Sequence, residues 1–301
     1  MSSTDILRIG QCQPALTFRD ALELAGLMPR EHRCSLEFEN ALRVYFASYN
    51  YCDHPRFAEW WDDHCRRRVA HALTVFCPWA QRELRDANVL EIGCGTGSST
   101  LALSLHVRKI TACDIHAPSL AVARIRLAEL GLQDRAELIL IDNSFSTLKT
   151  MDASFDVVAL YAVIEHMLPD ERALLFDAVW PLLKPGGTVL IYETPNRLAW
   201  RDRHTTFLLG WGWFPPPLAL RYGIARGKLP KDCTTERMYR EGFGTSYWEL
   251  KRLLRGKAYS IDAPYVRRPL VRRAFAKLAR ICLSAPHWAF NETFALKIRK
   301  H

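Results

Sequence analysis

The chain has 301 residues, 49% of them hydrophobic, enough to bury a full core without cross-links. Nine cysteines (12, 34, 52, 65, 77, 94, 113, 233 and 282) are odd in number and form no C-x-x-C pair, which argues against a disulfide framework and for free thiols in a reducing cytoplasm. The formal net charge of +9 is concentrated, because Lys251 to Arg280 holds ten Lys or Arg residues against one acid, Asp262. That stretch is either a surface for phosphate, nucleic acid or an anionic lipid, or a solvated helix face. The start lacks an apolar signal region, and the longest apolar run, Val157 to Ile164, is far too short to span a membrane. A soluble, cytoplasmic protein is the expectation. Cys52, His54, His64 and Cys65 fit no common zinc spacing.

Residues 1–80 read as a helical cap. Apolar residues at 38, 41, 42, 45, 46 and 49 recur with a helical period over Leu36 to Tyr49. A second helix is expected from about Pro55 to Phe76, with Pro78 ending it or opening the next turn. From Asn88 the pattern changes to short apolar strands alternating with helices. Strands are expected at Val89–Ile92, Lys109–Asp114, Glu137–Ile141, Phe155–Tyr161 and Thr188–Tyr192. Helices are expected at Ser98–His106, Pro118–Leu130 and Asp170–Leu183. Such alternation implies an α/β fold built on a mostly parallel sheet with helices on both faces. Residues 196–245 interrupt the rhythm with Trp200, Trp211, Trp213, Phe214 and three prolines, and read as an insertion after the fifth strand. Ser246 and Glu249 then form a capping-box pair for a helix to Leu254. A sixth strand at Tyr259–Val266, a basic helix at 270–283 and a final strand at Glu292–Arg299 complete the domain, 81–301.

Glu91-Ile-Gly93-Cys-Gly95-Thr-Gly97 follows a strand and opens a helix. Its glycines allow a tight turn and a close approach of backbone to ligand. A dinucleotide fingerprint would place its third glycine at position 98, which is serine here. Glu91 also suits a cationic ligand better than a pyrophosphate.

From Asn88 to Asn196 the chain resembles the class I S-adenosylmethionine-dependent methyltransferases, in particular the small-molecule enzymes of ubiquinone-biosynthesis type. The resemblance implies a Rossmann-like sheet of seven strands, the last antiparallel at Phe294–Arg299. It also implies S-adenosylmethionine as cofactor and S-adenosylhomocysteine as product. The glycine turn would hold the cofactor, with Asp114 and Ile115 at the ribose, Asp142 and Asn143 near the adenine, and Tyr161 at the end of the fourth strand. Asp114 can also simply end a strand, and Asp142-Asn143 can be an ordinary turn.

The resemblance places Glu165 and His166 near the methyl group. His166 is then a candidate base, or the pair only hydrogen-bonds the loop or cofactor. Terminal-ribose methyltransferases of small RNAs resemble this segment but carry a glutamate where Ala162 stands, so no metal site is expected. His204 is a candidate base or acceptor binder, or a surface histidine. Glu193, Trp200, Trp211 and Trp213 are candidates for the acceptor pocket, although the tryptophans can equally form the insertion's own core. Tyr45, Tyr49 and Tyr51 can cover the cofactor or pack as an ordinary helix face. The expected acceptor is a small organic molecule methylated at a hydroxyl. RNA or a prenyl or lipid phosphate held by residues 251–280 is the alternative, and a non-catalytic cofactor-binding protein is a third.

Overall fold

A computed structural model describes residues 35–152, 154–264 and 284–301. The chain divides into two compact units, Met1–Ala159 and Leu160–His301.

The first unit begins with α1 (Leu36–Ser48), whose N-terminus is capped by the Ser35 hydroxyl accepting from the Phe38 amide. Its apolar face buries Phe38, Leu42 and Phe46 against Cys65 and Val122. A long helical run follows: α2 (Phe57–Asp62), a π-helical turn at Asp63–Arg67, α3 (Arg68–His71), a second π turn at Ala72–Phe76, and α4 (Cys77–Leu84). Pro78 opens the next α-helical segment, one of the two roles expected of it, and the helical run continues through it. Proline lacks a donor and collides with the carbonyl one turn earlier. The wider π turn just before Pro78 displaces that carbonyl, so the chain keeps its direction.

Strand β1 (Asn88–Ile92) is followed by α5 (Ser98–Ser104), in which every residue is buried. Strand β2 (Lys109–Asp114) leads to α6 (Ala117–Glu129), with Pro118 in its first turn, and to β3 (Ala136–Leu140). β2 pairs parallel with both β1 and β3, with Val89 beside Ile110 and Ile110 beside Ala136. Val89, Leu90, Ile110 and Ala112 are wholly buried, as expected for a parallel sheet covered by helices. The short α7 (Ser146–Lys149) precedes β4 (Phe155–Tyr161).

The second unit contains α8 (Pro169–Leu182) and β5 (Leu183–Pro195). The strand expected at Thr188 already begins at Leu183, but its pairing starts at Thr188, opposite Arg299. After β5, the insertion forms α9 (Pro216–Ala225) and α10 (Thr235–Arg240) around a core of Leu208, Trp211, Ala219, Leu229, Met238 and Phe243. The helix expected after Ser246 is α11 (Tyr247–Leu253), and the Ser246 hydroxyl accepts from the Glu249 amide as its cap. β6 (Tyr259–Asp262) is shorter than expected, and β7 (Thr293–Lys300) runs antiparallel to both β5 and β6. The seven strands are ordered β3-β2-β1-β4-β5-β7-β6. This is the Rossmann-like order expected of the resemblance, with its antiparallel strands near the C-terminus. Residues 1–34 of the expected cap and the expected basic helix at 270–283 lie outside the described residues. Among the described residues, no helix is long and apolar enough to cross a membrane, and the cysteines are free thiols.

Candidate active site

In the first unit the glycine turn docks onto β2 through its backbone. The amides of Gly93 and Cys94 both donate to the Cys113 carbonyl, at 2.7 and 3.1 Å. The Asp114 carboxylate accepts from the Gly95 amide at 2.7 Å through one oxygen and from the His116 amide at 2.8 Å through the other. Burial raises the Asp114 pKa, and these backbone bonds oppose the rise. A Cβ placed on Gly95 would meet no atom within 4 Å, so this glycine leaves room beside Asp114 for a ligand. Gly97 does something different. A Cβ there would sit 2.8 Å from the Cβ of Ala123, and its φ of +78° is left-handed, so Gly97 lets α6 approach the turn.

Glu91 is enclosed and accepts the hydroxyls of Ser99 and Thr100 on α5. Burial lifts its pKa to about 7 against the pull of those two bonds. Its carboxyl therefore ties β1 to the start of α5 and shapes the turn from behind. Ile115 is exposed directly after Asp114. Asp142 and Asn143 are both exposed. Asp142 accepts from the Ser144 amide and hydroxyl and from the Ser146 hydroxyl, and these bonds hold it down to about 2. It thus organises its own loop, the turn role considered in the sequence.

Two residues that the sequence did not connect with the turn complete this side. Arg126 is fully buried and donates to the carbonyls of Thr96 at 2.8 Å and His64 at 2.7 Å, with its guanidinium over the Phe38 ring. His64, pushed down to about 2 mainly by burial, bonds the Thr96 hydroxyl through Nδ1 at 3.0 Å. The turn is therefore held to the cap helices as well as to the sheet. Tyr45 and Tyr49 pack against the His116 ring, and Ser48 on α1 bonds His116 Nε2 at 3.0 Å.

In the second unit, Tyr161 stacks on Tyr192 with rings 5.6 Å apart and 8° from parallel. Ala162 and Glu193 both adopt left-handed φ, +53° and +56°, and the Ala162 amide donates to the Tyr192 carbonyl. Glu193 sits at the β5 bulge with its side chain exposed. Non-glycine residues in this region are held by their surroundings, and such strain concentrates at working sites.

Glu165 is completely buried and accepts from the Thr194 hydroxyl at 3.2 Å. Desolvation raises it to about 8, so it is largely neutral near pH 7. Its second oxygen lies 3.9 Å from His166 Nε2, beyond hydrogen-bond range. His166 Nδ1 is 2.7 Å from the Arg240 carbonyl, and the His166 and His204 rings meet edge to face at 5.5 Å. Among the described residues, Glu165, His166 and His204 each bring one donor atom within 4.8 Å of the others, a spacing that can accommodate a single cation. The sequence, with Ala162 in place of a fourth donor, did not foresee this convergence.

The tryptophans separate. Trp211 is enclosed in the insertion core, with its indole donating to the Ala219 carbonyl at 2.8 Å. Trp200 and Trp213 pack edge to face at 5.6 Å and are both partly exposed. Of these three, only Trp200 and Trp213 leave indole surface exposed.

A family model described as Methyltransferase domain matches residues 89–187. A ubiquinone biosynthesis O-methyltransferase of Xylella fastidiosa (strain 9a5c) is 35% identical over 141 residues, 46% of this chain and 55% of that protein. The protein of the same name from Azotobacter vinelandii is 32% identical over 145 residues, 46% of this chain and 58% of that protein. The chain thus spans little more than half the length of the curated relatives it matches. Among solved structures, the S-adenosylmethionine-dependent methyltransferase SibL in its apo form superposes with a TM-score of 0.48 at 18% identity, covering 99% of this chain and 74% of that one. Residues 89–187 match a methyltransferase domain, and the chain that carries them resembles the class I S-adenosylmethionine-dependent methyltransferases, those of ubiquinone biosynthesis among them.

Proposed function

We propose that this protein is an S-adenosylmethionine-dependent methyltransferase that methylates a hydroxyl oxygen of a small organic acceptor. The observation that carries the reading is the Asp114 carboxylate, held by the Gly95 and His116 amides beside the open space at Gly95. A buried acid so oriented is suited to accept the two hydroxyls of a ribose. When bound, the cofactor supplies an electrophilic methyl on a sulfonium and needs no further activation.

The remaining work falls to the chain. A hydroxyl nucleophile must lose a proton as it attacks, and His166 is the group proposed to receive it at Nε2. Glu165, kept largely neutral by burial, has its second oxygen 3.9 Å from that nitrogen. Trp200 and Trp213 are proposed to flank an apolar or aromatic acceptor. The relatives named for ubiquinone biosynthesis support an O-methyl product.

Calorimetry on the wild type and Asp114→Ala tests the cofactor site. A loss of affinity of about tenfold or more, ~1.4 kcal/mol, is expected, and unchanged affinity sinks the assignment. Incubation with a metabolite extract and methyl-labelled cofactor, read by mass spectrometry, identifies the acceptor. Label found on RNA alone would replace the small-molecule reading.

A further inference from the structure

The backbone carbonyls that meet His166, directly, and His204, through Thr205, come from one short stretch of the insertion, Arg240–Gly242. A carbonyl oxygen can only accept, so the 2.7 Å contact between His166 Nδ1 and the Arg240 carbonyl places the proton on Nδ1. The lone pair of His166 is then on Nε2, the nitrogen nearer Glu165. The same logic reaches His204 through one relay. The Thr205 hydroxyl donates to the carbonyls of Glu241 and Gly242, each at 3.0 Å. With its proton so committed, that oxygen accepts from His204 Nδ1 at 3.1 Å, and the His204 lone pair is also on Nε2.

Two further features hold the stretch in place. Arg240 grips Glu171 at the start of α8 through two nitrogens, at 2.7 and 2.6 Å, and donates back to the His166 carbonyl at 3.3 Å. Glu171 is in turn fixed by the Leu168 amide at 2.9 Å. Gly242 has φ +101°, and a Cβ there would stand 2.5 Å from the His204 ring. A glycine lets the backbone lie this close to the His204 imidazole.

We infer that Arg240–Gly242 is the positioning element of the site: its three successive carbonyls set both histidines as Nδ1–H tautomers, and the Arg240–Glu171 ion pair holds them there. Arg240 and Glu171 act through His166 and are positioning residues. The inference rests on the reading of His166 as proton acceptor, yet it concerns which nitrogen bears the proton and is testable without turnover.

The test is nitrogen NMR of the full chain labelled at histidine, assigned by comparison with His166→Gln and His204→Gln. Both rings are expected as Nδ1–H tautomers in the wild type, and Nε2–H at either ring overturns the inference. Arg240→Ala is expected to give His166 a mixed tautomer signal and to lower kcat by roughly 10- to 100-fold with cofactor KM unchanged, since small misplacements of a reacting group cost that much. Unchanged tautomers and unchanged kcat in that variant overturn the inference. Should Arg240→Ala fail to fold, Thr205→Val and Thr205→Ser decide. Valine must disturb His204 alone and serine must restore it, and any other pattern refutes the relay. Should His166→Gln keep full activity while the tautomers are as expected, the proton-acceptor reading fails and the positioning element stands.

Discussion

The two halves of the proposed machinery are built in opposite ways. The cofactor side in the first unit is made almost wholly from backbone: amides of Gly93, Cys94, Gly95 and His116 meet Cys113 and Asp114 on an adjacent strand. The histidine side in the second unit is made from side chains whose partners lie far along the chain, His166 with Arg240 and Glu165 with Thr194. A backbone-built site tolerates change at most side chains but fails at its glycines. A site of distant side chains depends instead on each polar partner that meets them, backbone carbonyls included.

The largest expected effect breaks the histidine side alone. His166→Gln should lower kcat by about 10²- to 10⁴-fold, the usual worth of a general base, with cofactor affinity unchanged by calorimetry. Loss of affinity along with rate would mean that the two sides are not separable.

Next is the enclosed carboxyl of Glu91, raised by burial from 4.5 to about 7. A raised acid adds to stability below its unfolded pKa, and that share is lost as pH climbs through the folded value. Chemical denaturation of the wild type should therefore show stability falling between about pH 4.5 and 7, by at most roughly 3 kcal/mol, and Glu91→Gln should remove most of that slope. An equal slope in the variant would place the titration elsewhere.

A finer contrast lies within the turn. Gly97→Ala forces a Cβ to 2.8 Å from Ala123 at a left-handed φ and should cost about 2–3 kcal/mol in thermal unfolding. Gly95→Ala meets no atom within 4 Å and should cost only about 1 kcal/mol of backbone strain, while weakening cofactor binding more than folding. Equal losses would show that both glycines serve packing.

The smallest effect concerns metal. With Ala162 in place of a further donor and Glu165 held neutral near pH 7, activity after chelation should stay within about twofold of the untreated enzyme. A loss restored by magnesium would recast Glu165, His166 and His204 as a cation site.

The glycine turn and Asp114 were legible because their geometry follows from neighbouring chain: a strand, a turn that only glycine fits, and an acid at the end of the next strand. Strand positions were likewise legible to within a few residues, since buried parallel strands are short apolar runs. The π turns ahead of Pro78 were not legible, because a π turn has no simple sequence signature. Arg126 stayed hidden because the Thr96 and His64 carbonyls it reaches lie 30 and 62 residues away. Trp200, Trp211 and Trp213 are the same residue type in one segment, and nothing local distinguishes the one that fills a core from the two that face outward.

What the sequence determined by itself, then, is the alternating architecture and the tight glycine turn after its first strand, because both follow from local periodicity and backbone conformation. What tertiary structure alone decided is the state of the chemistry-bearing groups. Glu91 and Glu165 are held towards their neutral forms by burial, and His166 and His204 carry their protons on Nδ1 because carbonyls from a distant turn meet them. Protonation depends on the surrounding dielectric and on hydrogen-bond partners, and these exist only once the chain has folded back on itself.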